Sequence, residues 1–267
     1  MIGFVDDRRV TETPVTPTGN HGRAFLILHG WQNHRPANHW QHWLADRLTD
    51  LGHEVAYPQL PEPDDPDLER WLAELDALLG ELEGRRVTVI CHSLACLLWL
   101  HAVARDDVLS TGPVDRVLLI APPAPEVALR HPEIAEFAPP PLTPAQLSEA
   151  ATYTRVVGSD DDPYCPQGAT TTYAEPLALP ADLLPGQAHL NPDSGYGDWP
   201  SLLDWCLEPT PTSYEKTPIR SRTQDSRTRD SRAYDSRTRD SRTQDSRTQD
   251  SRTHGSHTHG SRTHNSR

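Results

Sequence analysis

Residues 87–104 read VTVICHSLACLLWLHAVA. The β-branched run Val87–Cys91 suits a buried strand, the next thirteen residues suit a buried helix, and no loop residues separate them. Ser93 stands at that junction as Cys91-His92-Ser93-Leu94-Ala95, the place and approximate spelling of a G-x-S-x-G nucleophile elbow. In such a turn the hydroxyl is lifted above the edge of a sheet. Small side chains are then required two residues to either side, where strand and helix crowd together. Ala95 meets that requirement and Cys91 meets it less comfortably. A serine that merely caps a buried helix would carry the same letters.

Outward from this junction, short apolar runs alternate with amphipathic stretches, the pattern of a parallel sheet wrapped by helices. Upstream lie the strand AFLIL (24–28), a helix over 37–51, the strand EVAY (54–57), a loop rich in Pro and Asp, and a helix over 68–82. Downstream come RVLLIA (116–121), TYTRVVG (152–158), a last short strand near 176–179 and a helix near 199–207. The Pro-rich stretch 122–144 is too irregular for an extra domain, so any lid is small. The expectation is an α/β fold of about six mostly parallel strands with helices on both faces. Ser93 then follows the third strand, beside the switch in strand order where such sheets hold ligands.

A serine nucleophile needs a base and a carboxylate to orient that base, here expected downstream as Asp and then His. The loop after Gly158 reads SDDDPYCP (159–166), and its D-P-x-x-P context favours Asp162, with Asp160 and Asp161 as competitors. An acidic turn capping a following helix is the plainer reading of all three. His189 follows in GQAHLNPDSGYGDWP (186–200), a Gly-rich loop. Acyl transfer also needs amide donors for a developing oxyanion, and the backbone N–H groups of Leu94 and Trp31 occupy the expected positions. Trp31 follows His29-Gly30 at the end of the first strand, where Gly30 lets the chain turn back. His34, His39 and His42 suggest a metal only weakly; interleaved with Trp40 and Trp43, they suit packing or solvent.

Four stretches, LHGWQNHRPANHWQHWL, VICHSLAC, SDDDPYCP and AHLNPDSGYGDWP, together resemble the motifs of the retinoblastoma-binding-protein-nine/YdeN family of small serine hydrolases over about residues 23–207. His39-Trp40 and the stretch after His189 are the selective parts. The resemblance implies an α/β-hydrolase with little or no lid and a triad of Ser93, Asp162 and His189. It implies neither metal nor organic cofactor, and the family's substrates are poorly defined. The three residues predict ester or amide hydrolysis of carboxylesterase type through an acyl-enzyme, and the lack of a large lid predicts a small acyl substrate. The chain departs from the family at Ala95 and Ala188, where Gly is frequent. It also lacks the L-x-C-x-E motif of the human member's retinoblastoma-binding role. A binding protein that keeps the scaffold without the chemistry is the competing class.

Charge divides the chain into unlike parts. Residues 1–209 hold 12 Arg and no Lys against 31 Asp+Glu, a net of 12 − 31 = −19, whereas residues 210–267 hold 13 Lys+Arg against 7 acids, or +6. An acidic domain repels phosphate and anionic membranes, so nucleic acid is not an expected partner of the folded part. No apolar run is long enough to cross a bilayer, and the acids near the N-terminus do not suit a signal peptide, so a cytoplasmic location is expected. Cys91, Cys96, Cys165 and Cys206 show no C-x-x-C pairing and read as reduced, buried thiols. The expected organisation is an N-terminal extension (1–22), a hydrolase domain (23–208) and a tail (209–267). From Ser221 the tail repeats RTQDS-like pentapeptides almost free of apolar residues. Such a segment is expected to be disordered, with no partner legible in it.

Overall fold

The computed structural model describes residues 22–105, 112–209, 217–221 and 224. Among them, six strands make one sheet: β1 (Arg23–Leu28), β2 (Glu54–Ala56), β3 (Arg86–His92), β4 (Val114–Ile120), β5 (Ala151–Gly158) and β6 (Ala181–Leu183). Their order is β2-β1-β3-β4-β5-β6, and every pairing is parallel. The helices are α1 (Trp40–Asp50), α2 (Leu68–Glu81), α3 (Leu94–Ala104), α4 (Pro125–Ala128), α5 (Pro144–Ala150) and α6 (Pro200–Leu207).

Side chains alternate across the strands, so both faces of the sheet are apolar and each needs a cover. Leu26, Leu28, Val89 and Cys91 share one buried cluster with α2, α3 and α5. Phe25, Ile27, Ile90 and Leu118 face the other way, onto Trp40, Leu44 and Leu48 of α1 and Leu202 and Trp205 of α6. The order of strands reverses between β1 and β3, which brings the chain ends leaving both strands to one rim.

Helix boundaries have local causes. His39 starts α1, its Nδ1 accepting the Gln41 amide at 3.2 Å, so the helix begins at Trp40 rather than at 37. Asp67 caps α2 by accepting the Arg70 amide at 2.8 Å. The Pro-rich stretch is a small cap, made of α4, a 3₁₀ turn over Pro132–Phe137 and the chain leading into α5.

The strand expected near 176–179 is absent. Those residues continue a helical turn from Thr170–Ala174, with the Leu177 amide bonded to the Tyr173 carbonyl and the Leu179 amide to that of Ala174. The last strand is β6, a few residues later. A short apolar run has too few residues for its period to separate strand from helix.

The buried guanidinium of Arg116 on β4 caps the end of α6, donating to the carbonyls of Trp205 (2.9 Å) and Cys206 (2.7 Å). Beyond position 208, residues 217–221 lie against the same unit. Ile219 is buried with the α1–α6 cluster, Arg155 donates to the Thr217 carbonyl at 2.9 Å, and Trp199 Nε1 donates to that of Arg220 at 2.8 Å. This short segment belongs to the stretch expected to be disordered; Ile219, its buried apolar residue, is too isolated in the sequence to signal a core. Residues 1–21 of the N-terminal extension, and the pentapeptide repeats apart from Ser221 and Gln224, with the disorder expected of them, lie outside the described residues. All four cysteines are buried and unpaired. No described helix is long and apolar enough to cross a membrane.

Candidate active site

Ser93 joins β3 to α3 with φ 55° and ψ −123°, a strained backbone for a residue with a side chain. Its amide is held by the Ile120 carbonyl at 2.9 Å. Although Ser93 occupies the cap position of α3, its hydroxyl makes no capping bond. The Oγ lies instead 2.9 Å from His189 Nε2. Cys91 and Ala95 are both fully buried beneath the turn.

Asp162 meets the other side of the imidazole, its two oxygens 3.0 and 2.9 Å from His189 Nδ1. An ionised carboxylate only accepts, so Nδ1 carries the proton and Nε2 presents its lone pair to the Ser93 hydroxyl. Asp162 is 3 % exposed and His189 7 %, so water competes little for either bond. The Tyr164 ring leans on the imidazole with centroids 4.4 Å apart, and its amide donates to Asp162 Oδ1 at 2.9 Å. Of the competing carboxylates, Asp160 accepts the Gly186 amide at 2.8 Å and Asp161 the Ala188 amide at 2.7 Å. Neither bonds the ring.

Gly30 and Trp31 pass directly over the nucleophile. The Leu94 amide opens α3, where the first N–H groups of a helix have no partner within it and the helix dipole is positive. Gly30 is required by space rather than by turning freedom: a Cβ there would sit 2.7 Å from Ser93 Cβ. His29 fixes the next peptide. Its Nε2 accepts from the Leu60 amide (2.8 Å) and from Gln59 Nε2 (2.9 Å), which leaves Nδ1–H to donate to the Gly30 carbonyl at 2.8 Å. Burial lowers the His29 pKa to about 4 and keeps the ring in this neutral form. In a trans peptide C=O and N–H point opposite ways, so the Trp31 amide is turned away from His29.

Two further buried imidazoles back the site. His92, directly before the nucleophile, donates from Nε2 to the His189 carbonyl at 3.1 Å. Burial, then the neighbouring His39 and His189, push its pKa well down. His39 packs 5.2 Å from His92, and burial lowers it to about 3. The sequence marks His39 through the His39-Trp40 pair and His92 through the elbow, but their burial behind the triad is not legible there; His34, which faces Asp64, and His42, which faces Asp46, lie nearer solvent.

Ser93 and His189 open into a cavity of about 480 Å³. Its lining combines the largely apolar Trp31, Leu94, Val127, Ile134 and Tyr164 with the polar His34, Asn38 and Asp193. Asp193 is the lone carboxylate among the described lining residues, which include no Arg or Lys.

The sequence is 25 % identical over 186 residues to YdeN of Bacillus subtilis (strain 168), covering 68 % of this chain and 93 % of that protein. The crystal structure of the B. subtilis ydeN gene product superposes with a TM-score of 0.58 at 24 % identity, over 73 % of this chain and 99 % of that one. A YdeN-like hydrolase from Pectobacterium atrosepticum has a TM-score of 0.52 at 20 % identity, over 68 % and 88 % of the two chains. Both superpositions support the α/β-hydrolase fold. With the serine hydrolase family matched across residues 25–206, from β1 to the end of α6, the chain belongs to that family and is a hydrolase of YdeN type.

Proposed function

We propose that the chain hydrolyses small carboxylic esters or amides through an acyl-enzyme formed on Ser93. The contact of His189 Nε2 with Ser93 Oγ at 2.9 Å, with Asp162 on Nδ1, carries this reading. His189 takes the hydroxyl proton as Oγ attacks the substrate carbonyl, and Asp162 keeps the ring in the tautomer that can do so. The Trp31 and Leu94 amides are the donors for the resulting oxyanion; loss of one such donor commonly costs on the order of 100-fold or more in rate. His189 then protonates the leaving group. A water activated by the same imidazole releases the acyl group as the carboxylic acid and regenerates the serine. The small cap and the half-apolar cavity favour compact acyl groups over long chains. A cytoplasmic location suits the reduced thiols and completes the proposal.

A fluorophosphonate probe and p-nitrophenyl acetate test it. Wild type should be labelled and should turn over the ester. Ser93→Ala should do neither, and Asp162→Asn should lose on the order of 10⁴-fold in kcat. A folded wild type that is neither labelled nor active would favour a binding protein on a hydrolase scaffold.

A further inference from the structure

Ala188 and Leu190, the two neighbours of His189, both hold positive φ, 45° and 53°. Residues with a Cβ pay a steric cost there, and such backbone persists only where its surroundings over-determine it. Here the surroundings do so bond by bond. On the β5 side, the amides of Gly186, Gln187 and Ala188 donate in turn to Asp160 Oδ1 (2.8 Å), Ser159 Oγ (2.9 Å) and Asp161 Oδ1 (2.7 Å). On the opposite side, the carbonyls of His189 and Leu190 accept from His92 Nε2 (3.1 Å) and Trp40 Nε1 (2.8 Å).

Resting on the triad reading, we infer that Asp161 is a positioning residue for His189: Asp162 aims the ring while Asp161, its neighbour in sequence, aims the backbone that carries the ring. Asp161 grips the N–H of Ala188, the residue immediately before His189 and the first of the two strained positions. The Ser159 hydroxyl lies 2.5 Å from the same oxygen; together they tie consecutive amides of the histidine loop to the end of β5. His92 and Trp40 complete the grip from the nucleophile turn and from α1. The three acids of SDDDPYCP therefore divide the work, one on the imidazole and two on the loop beneath it. Displacing a reacting group by about 1 Å can cost about 100-fold in rate, which sets the scale of the effect.

Asp161 is exposed, so its substitution leaves the core intact. Asp161→Ala should lower kcat for p-nitrophenyl acetate by about 10- to 100-fold with KM little changed, and should slow fluorophosphonate labelling to match. Asp161→Asn, which keeps an acceptor oxygen for the Ala188 amide, should recover most of that loss. An Asp161→Ala enzyme with kcat within twofold of wild type overturns the inference. So does a loss that Asp161→Asn fails to recover. Wild-type labelling and turnover test the triad reading separately. The downfield proton signal of His189 Nδ1–H, read by NMR, needs no turnover: weakening in Asp161→Ala with persistence in Asp161→Asn supports the clamp even in an inert protein, and persistence in both overturns it.

Discussion

Gly30 and Ser93 approach so closely that a Cβ on residue 30 would stand 2.7 Å from the Ser93 Cβ and 3.1 Å from its hydroxyl. The first contact is far inside van der Waals distance, and neither partner is the far end of a flexible chain. Gly30→Ala must therefore push the Gly30–Trp31 peptide outward, off the position from which the Trp31 amide would meet an oxyanion. The expected result is a kcat lower by on the order of 100-fold, with little change in the far-ultraviolet circular dichroism. A Gly30→Ala enzyme that keeps wild-type kcat would show that this amide takes no part.

The buried imidazoles give stability a definite pH dependence. Burial depresses His29 to about 4 and His39 to about 3, and His92 lies well below its usual value. In the unfolded chain each titrates near 6.5. As pH falls below about 6.5, the unfolded chain takes up protons that the folded one refuses, so stability drops until the folded pKa values are reached. His39→Asn keeps a side-chain acceptor for the start of α1 and removes one of these groups. Between pH 7 and pH 5 its loss of unfolding free energy in urea should be smaller than that of wild type by about 2 kcal/mol. Equal losses would mean that His39 is protonated in the fold.

Arg116 is 0 % exposed, lies 4.6 Å over the Trp205 ring and donates to two of the last carbonyls of α6. Arg116→Met keeps much of the volume and removes the donors, leaving buried helix-end carbonyls short of partners. The cost should be about 3 kcal/mol in urea unfolding. A change under about 0.5 kcal/mol would place the hold on α6 elsewhere, with Arg23, which also donates to the Leu207 carbonyl at 3.1 Å.

Legibility in the sequence followed the reach of each interaction. Period and composition act within a few residues, and so the strands 24–28, 87–91, 116–121 and 152–158, their helices and the parallel class could be read directly. The strand read near 176–179 failed because four apolar residues carry no usable period, and the Ile219 packing went unread because an isolated isoleucine carries none either.

The site divides in the same way. Ser93, Asp162 and His189 could be nominated from local context, because a strand-to-helix turn and loops at strand ends leave marks in the nearby sequence. The contacts that His189 makes within 3.0 Å, with Ser93 on one side and Asp162 on the other, span 96 and 27 positions of chain, and sheet order brings those loops to one rim. The same holds for Asp161 against Ala188, for His92 and Trp40 against the histidine loop, and for Gly30 against Ser93. Each is a contact between residues with no shared local pattern, so sequence supplied the candidates. Packing of the sheet and its helices decided which hydroxyl, imidazole and carboxylate meet.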